Sequence, residues 1–232
     1  MRFLSLIFFA FAVRLSASEL AAPRDSRQLV VVATHGWRDT SGTLRRFERS
    51  DTRDPWRAVG PAISVKVGRA GMAWGLGLHT NPPTGPRKIE GDKRAPAGVF
   101  RLTAAFGHDA KPNGVTLPYI RIVPGIEAVD DPASRYYNQI VDRKRIARPD
   151  WHSSEKMETV GKEYRRGIFV AHNPGASPGA GSCIFLHVWR HPFHATTGCT
   201  AMPLEAIAEL QRWLKPEAKP VLIQCPAEFF AE

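Results

Sequence analysis

Residues 181–202 read GSCIFLHVWRHPFHATTGCTAM, a strand pattern followed by a loop that leads toward a helix. Ile184, Phe185, Leu186 and Val188 make an apolar run of strand length with His187 near its end. Twelve residues further on, Thr196, Thr197, Gly198 and Cys199 lead into the best helical pattern of the chain. There Leu204, Ile207, Ala208, Leu210 and Leu214 fall on one face, Pro203 suits the first turn and Pro216 limits the end, so a helix is predicted over 203–214, immediately after Cys199. A thiol is a poor nucleophile until it loses its proton. An imidazole within hydrogen-bonding reach takes that proton, and a helix N-terminus steadies the thiolate. Cys199 is therefore the candidate nucleophile and His187 its candidate base. Gly198 lets the backbone approach a bound carbonyl, and the amides around Gly198 and Cys199 are candidates to meet an oxyanion, with Thr196 and Thr197 beside them.

Most of the remaining segments read as strands. Leu29 and the three valines that follow read as a buried first strand, and Ile63, Val65 and Val67 alternate with Ser64 and Lys66 as a strand with one wet face. Residues 38–56 are polar and read as a hairpin with a long loop. Pro82, Pro83, Pro86 and Pro96, among Gly85, Gly91 and Gly98, predict a long loop that returns to a strand at 99–102. Strands are also expected at 119–123, at 221–224, and at 167–173 and 182–188, the last two paired as a hairpin through the glycine-rich residues 174–181. Met157, Val160 and Tyr164 have the spacing of an amphipathic helix over 154–164. The sum is α+β: one β-rich domain over 19–232, a mixed-sheet sandwich with a helix following Cys199.

Ahead of it, Arg2, an apolar run from Phe3 to Val13, and Ser16, Ala17 and Ser18 before Glu19 have the layout of a secretory signal peptide over 1–18. The run is too short to span a bilayer and no later segment is long enough, so an exported protein of the periplasm or cell envelope, without a stable membrane span, is expected. Residues 19–232 carry 30 Lys and Arg against 22 Asp and Glu, a net +8. That attracts polyanions. No RNA-binding aromatic motif, zinc-finger spacing or tight basic cluster points to nucleic acid. The cysteines number three, Cys183, Cys199 and Cys225. In an oxidising compartment an odd thiol is either a cross-linking or a reactive one, and with Cys199 reactive the other two are left either bridged or separately buried.

Cys199 can be a core thiol, and His187 a satisfied core histidine that only its pairing with Cys199 lifts above that reading. His187, His191 and His194 with Cys183 or Cys199 can be read as zinc ligands, although Pro192 and the irregular spacing resemble no common structural site. Glu90, Asp92 and Arg94 read as solvated charges, and His35 and His172 as structural.

The segments IFLH and TTGC together resemble the H-x(n)-[ST]-H-G-C hallmark of L,D-transpeptidase catalytic domains, the YkuD-like family. KIEGDKRAPAGVFRL at 88–102 resembles the segment that precedes the catalytic sheet in that family, and YYNQIVD at 136–142, SSEKM at 153–157 and GIFVAHNP at 167–174 are similar to other parts of it. The resemblance covers about residues 61–225. It implies that Cys199 attacks the carbonyl after an L-centre in a peptidoglycan stem peptide, expels the terminal D-residue and holds the acyl group as a thioester, with His187 oriented by a backbone carbonyl such as that of Val188. It implies no metal and no organic cofactor, and peptidoglycan peptide stems as partners. The chain departs from the pattern at Thr197, where the family usually has His, at Ala201, where an Arg commonly stands, and in a shorter interval between His187 and Cys199. Those departures bear on the substrate pocket, so thiol hydrolysis of the same linkages, or wall binding without catalysis, stand as alternatives to transfer.

Overall fold

The computed structural model describes residues 20–80 and 84–230. The expected signal peptide, 1–18, lies outside them, as do Pro82 and Pro83 of the proline-rich loop. Thirteen strands and one α-helix follow in chain order: β1 (Gln28–Thr34), β2 (Ser41–Glu48), β3 (Arg57–Lys66), β4 (Met72–Trp74), β5 (Ala95–Gly107), β6 (Tyr119–Arg121), β7 (Ile126–Val129), β8 (Gln139–Asp142), β9 (Ser154–Lys156), β10 (Arg166–Val170), β11 (Phe185–Val188), β12 (Thr200–Met202), α1 (Leu204–Trp213) and β13 (Val221–Pro226).

The main sheet runs β10-β11-β12-β3-β2-β1-β13-β5, and β5 pairs back to β10, so it closes on itself as a barrel-like sandwich. It is mixed: β1 with β13 and β11 with β12 are parallel, while β1 with β2, β2 with β3, β13 with β5 and β10 with β11 are antiparallel. Closure removes exposed edges and needs curvature. A bulge between Phe169 and Val170, where β10 runs along the long β5, supplies some of it. The apolar run at β1 is buried on both faces because β1 sits centrally, between β2 and β13. Val30, Val32, Leu44, Phe100, Leu222 and Ile223 fill the interior, each contributing about 1.5–3 kcal/mol on burial.

Helix α1 covers one side of this sheet. Ile207 and Leu210 are buried, and so is Gln211, whose Nε2 donates to the Phe106 and Gly167 carbonyls at 3.0 and 2.8 Å. A second, three-stranded sheet, β8-β7-β9, lies over a smaller core of Phe106, Ile122, Ile126, Met157, Tyr164 and Phe185. The α+β, β-rich, single-domain architecture with a helix beyond Cys199 is thus the observed one.

Two local expectations change. Residues 154–164 are not a helix: β9 is followed by 3-10 turns at Met157–Thr159 and Gly161–Tyr164. Gly161 at φ +78° breaks the helical path, while Met157 and Tyr164 still reach the smaller core. Asp92 is not a solvated charge either, since it forms a 2.6 Å ion pair with Lys88 and both side chains are buried. The loop around them is a structured wall, with Glu90 accepting from the Tyr137 hydroxyl at 2.5 Å and Arg94 donating to the Met72 carbonyl at 3.0 Å.

Candidate active site

Parallel pairing of β11 with β12 sets Leu186 opposite Thr200 and His187 opposite Ala201. Cys199 directly precedes β12, two positions before the residue facing His187. With a strand spacing of about 4.8 Å and a rise of about 3.3 Å per residue, its Cα falls roughly 8 Å from that of His187. His187, Cys199 and Ala201 line one cleft, together with Thr196, Thr197, Tyr164 and Glu155. The hairpin expected from 167–188 is what delivers His187, since β10 pairs antiparallel with β11.

His187 is buried, at 8 % exposure, and its Nδ1 lies 2.8 Å from the Val188 carbonyl oxygen. A carbonyl only accepts, so the proton sits on Nδ1, and Nε2 keeps its lone pair. Tyr164 packs edge-on to the ring at 5.5 Å. Burial lowers the imidazole's pKa, against the Val188 bond and Glu163, which act to raise it. Cys199 is likewise protonated: burial pushes its thiol up to about 12. Its sulfur accepts from the Phe185 N–H at 3.3 Å and its S–H points to the Cys183 carbonyl at 3.9 Å. Among the described residues no hydrogen bond joins Cys199 to His187. The resting pair is two neutral groups on one cleft wall, and catalytic hydrogen bonds of this kind commonly tighten only once substrate is bound.

The turn before Cys199 is tied down from both sides. Thr196 donates its N–H to the Val67 carbonyl, and its own carbonyl accepts from the Arg69 N–H at 2.8 Å. Its hydroxyl donates to the Cys199 carbonyl at 2.5 Å and accepts the Gly198 N–H at 3.2 Å. Thr196 is therefore spent on building the turn, and the Gly198 amide is taken by it. Gly198 has φ +151°, a conformation open to glycine, and a Cβ there would sit 3.3 Å from the Arg94 carbonyl oxygen. Thr197 is exposed to the cleft, and among the described residues its hydroxyl has no hydrogen-bond partner.

One expectation is revised, and two readings left open by the sequence are narrowed. The helix does not follow Cys199 directly: β12 intervenes and α1 starts at Leu204, so its N-terminus is not beside the sulfur. The thiols of Cys183 and Cys225 are not bridged, because Cys225 is buried in the barrel core and Cys183 packs against the smaller one. The histidines around residue 190 do not gather as ligands: among the described residues no group of three His, Cys, Asp or Glu side chains is placed to hold a metal ion.

Sequence reasoning missed several groups that shape the cleft. Asn138 takes the Cys183 N–H on its Oδ1 at 2.8 Å and donates to the His172 and Asn173 carbonyls, holding Cys183 at φ +50° with its carbonyl toward the thiol. Glu155 and Arg69 line the cleft on both sides of Cys199, and Lys88 and Lys93 line its second arm. Asn138 and Glu155 lie in two of the segments whose family likeness was visible, although nothing in their local pattern marked them out.

The family model for the YkuD L,D-transpeptidase catalytic domain matches residues 43–223, most of the chain. The chain belongs to that family. Among curated proteins and among solved structures nothing matches. Membership ties this L,D-transpeptidase domain to peptidoglycan as its substrate. No helix of its described residues is long and apolar enough to cross a membrane.

Proposed function

We propose that this protein is an exported cysteine acyltransferase that performs L,D-transpeptidation on peptidoglycan stem peptides, with Cys199 as nucleophile and His187 as its base and then acid. The observation that carries the reading is that His187, whose Nδ1 is held by the Val188 carbonyl so that Nε2 keeps its lone pair, lines the same cleft as Cys199. Rotation of the thiol from the Cys183 carbonyl toward Nε2 lets the imidazole take the proton as sulfur attacks. The proton then goes to the leaving amine of the D-residue, and a thioester remains. Thr197, with its unengaged hydroxyl, and the backbone of the 197–199 turn are the groups that would meet the oxyanion. In this reading Thr196 and Gly198 act by shaping that turn.

Incubation with a stem tetrapeptide tests this directly. Intact-protein mass should show an acyl adduct on Cys199, and the peptide should lose its terminal D-residue, reappearing joined to an acceptor amine. Unaltered protein and peptide would sink the proposal, while a shortened peptide alone would select hydrolysis. The pH profile carries a second expectation. The reaction starts from neutral His187, whose pKa burial lowers, so the acid limb of kcat/KM should fall below the ordinary histidine midpoint of about 6.5. With the thiol held up near 12, the rate should stay flat through mildly alkaline pH rather than climb with thiolate. The same depression means that the unfolded chain binds this proton first, so the contribution of neutral His187 to stability is lost as pH falls below the unfolded value. An acid limb above the ordinary midpoint would contradict the buried neutral imidazole.

A further inference from the structure

Transfer to an amine leaves a proton over that the Cys–His pair cannot absorb, and of the carboxylates among the described residues that line the cleft Glu155 alone borders both of its arms. At neutral pH an acceptor amine arrives as ammonium, since amino groups titrate at about 7.7 or higher. Before it can attack the thioester it must lose one proton, and it loses a second as the C–N bond forms. His187 takes the second and returns it to sulfur as the C–S bond breaks, which restores both groups. The first needs another acceptor.

Glu155 lines the cleft on both arms that meet at Cys199 and is an exposed residue. Its Oε1 accepts from the Tyr164 hydroxyl at 2.5 Å. Among the described residues it has no cationic partner, unlike Glu163 on the same cleft, which is paired with Arg190 at 2.6 Å. Tyr164 in turn is buried against His187, so one side chain fixes both the carboxylate and the base. We propose that Glu155 is the docking group and proton acceptor for the amine that resolves the Cys199 thioester.

Electrostatics fits the role. The walls of the cleft and the nearby Asp130 raise the carboxyl's pKa, only partly offset by the Tyr164 hydrogen bond, which moves it toward that of the amine it would relieve. Ammonium gives one proton to the carboxylate and one to Nε2, amide and free thiol form, and Glu155 then sheds its proton to water. Water as acceptor brings no such surplus charge, so hydrolysis does not need Glu155.

This inference rests on the acyltransferase reading above, and one experiment separates their failures. Wild type, Glu155→Gln and Glu155→Asp are acylated with the stem tetrapeptide and resolved with D-methionine, while the thioester, amide and hydrolysed acid are followed by mass. The thioester should form on Glu155→Gln within about twofold of the wild-type rate, and the ratio of amide to acid should fall at least about tenfold, in the range expected of a lost proton acceptor. Glu155→Asp should recover part of that ratio, which a loss of packing alone would not predict. An unchanged ratio on an acylated Glu155→Gln overturns the inference and leaves the acyltransferase reading standing. Failure of Glu155→Gln to acylate also overturns it, by assigning the side chain to folding or to the first step. A wild type without thioester removes both.

Discussion

Cys199→Ala should lose at least about 10⁴-fold in stem-peptide turnover while keeping its fold. Removing the nucleophile of a covalent mechanism leaves only binding and oxyanion contacts, which sustain a small residue of the full rate. The side chain is small and only partly buried, and the turn around it is held by Thr196, Val67 and Arg69 rather than by sulfur. The expected cost in stability is about 1 kcal/mol or less, so a thermal melt close to wild type should accompany the loss. Cys199→Ser is the sharper control, because a hydroxyl beside the same neutral imidazole ionises even less readily. Acylation by a carbapenem, read as adduct mass, should vanish in both variants. Full turnover by Cys199→Ala would eliminate the transferase and the hydrolase reading together, leaving wall binding.

His187→Gln should slow acylation by about 10²- to 10⁴-fold, the span typical of a lost general base. Glutamine nearly keeps the buried volume, and its amide can donate to the Val188 carbonyl, so the strand pairing of β11 survives the change. What it lacks is a basic nitrogen. The loss should fall on kcat with little change in KM, because the imidazole acts on the proton and does not bind the peptide. The acid limb of the pH profile should disappear with it. A variant that acylates at the wild-type rate would separate the imidazole from the chemistry, and a sulfur resting against the Cys183 carbonyl would then need another base.

Much of the architecture was legible because its signals are local. Val30, Val31 and Val32 announce a strand buried on both sides, and β1 is one, between β2 and β13. The helical face of Leu204, Ile207 and Leu210 gives α1 to within a residue at each end. The apparent helix at 154–164 failed for an instructive reason: Met157 and Tyr164 have helical spacing because both must reach the smaller core, and two 3-10 turns broken at Gly161 achieve that as well. Asp92 misled because its partner, Lys88, becomes buried only once the proline-rich loop folds against the sheet.

From the sequence come the thiol and imidazole on which the proposed chemistry rests, since these groups are intrinsic to Cys199 and His187 and the strand and turn patterns around them are short-range. Their electrical state and their neighbours come from long-range packing instead. Packing lowers the imidazole's pKa and raises the thiol's, which widens the pH range over which both stay neutral, and β9 with the 3-10 turns after it brings Glu155 and Tyr164 to the same cleft. Burial and proximity depend on how distant segments pack, and no periodicity along the chain encodes that.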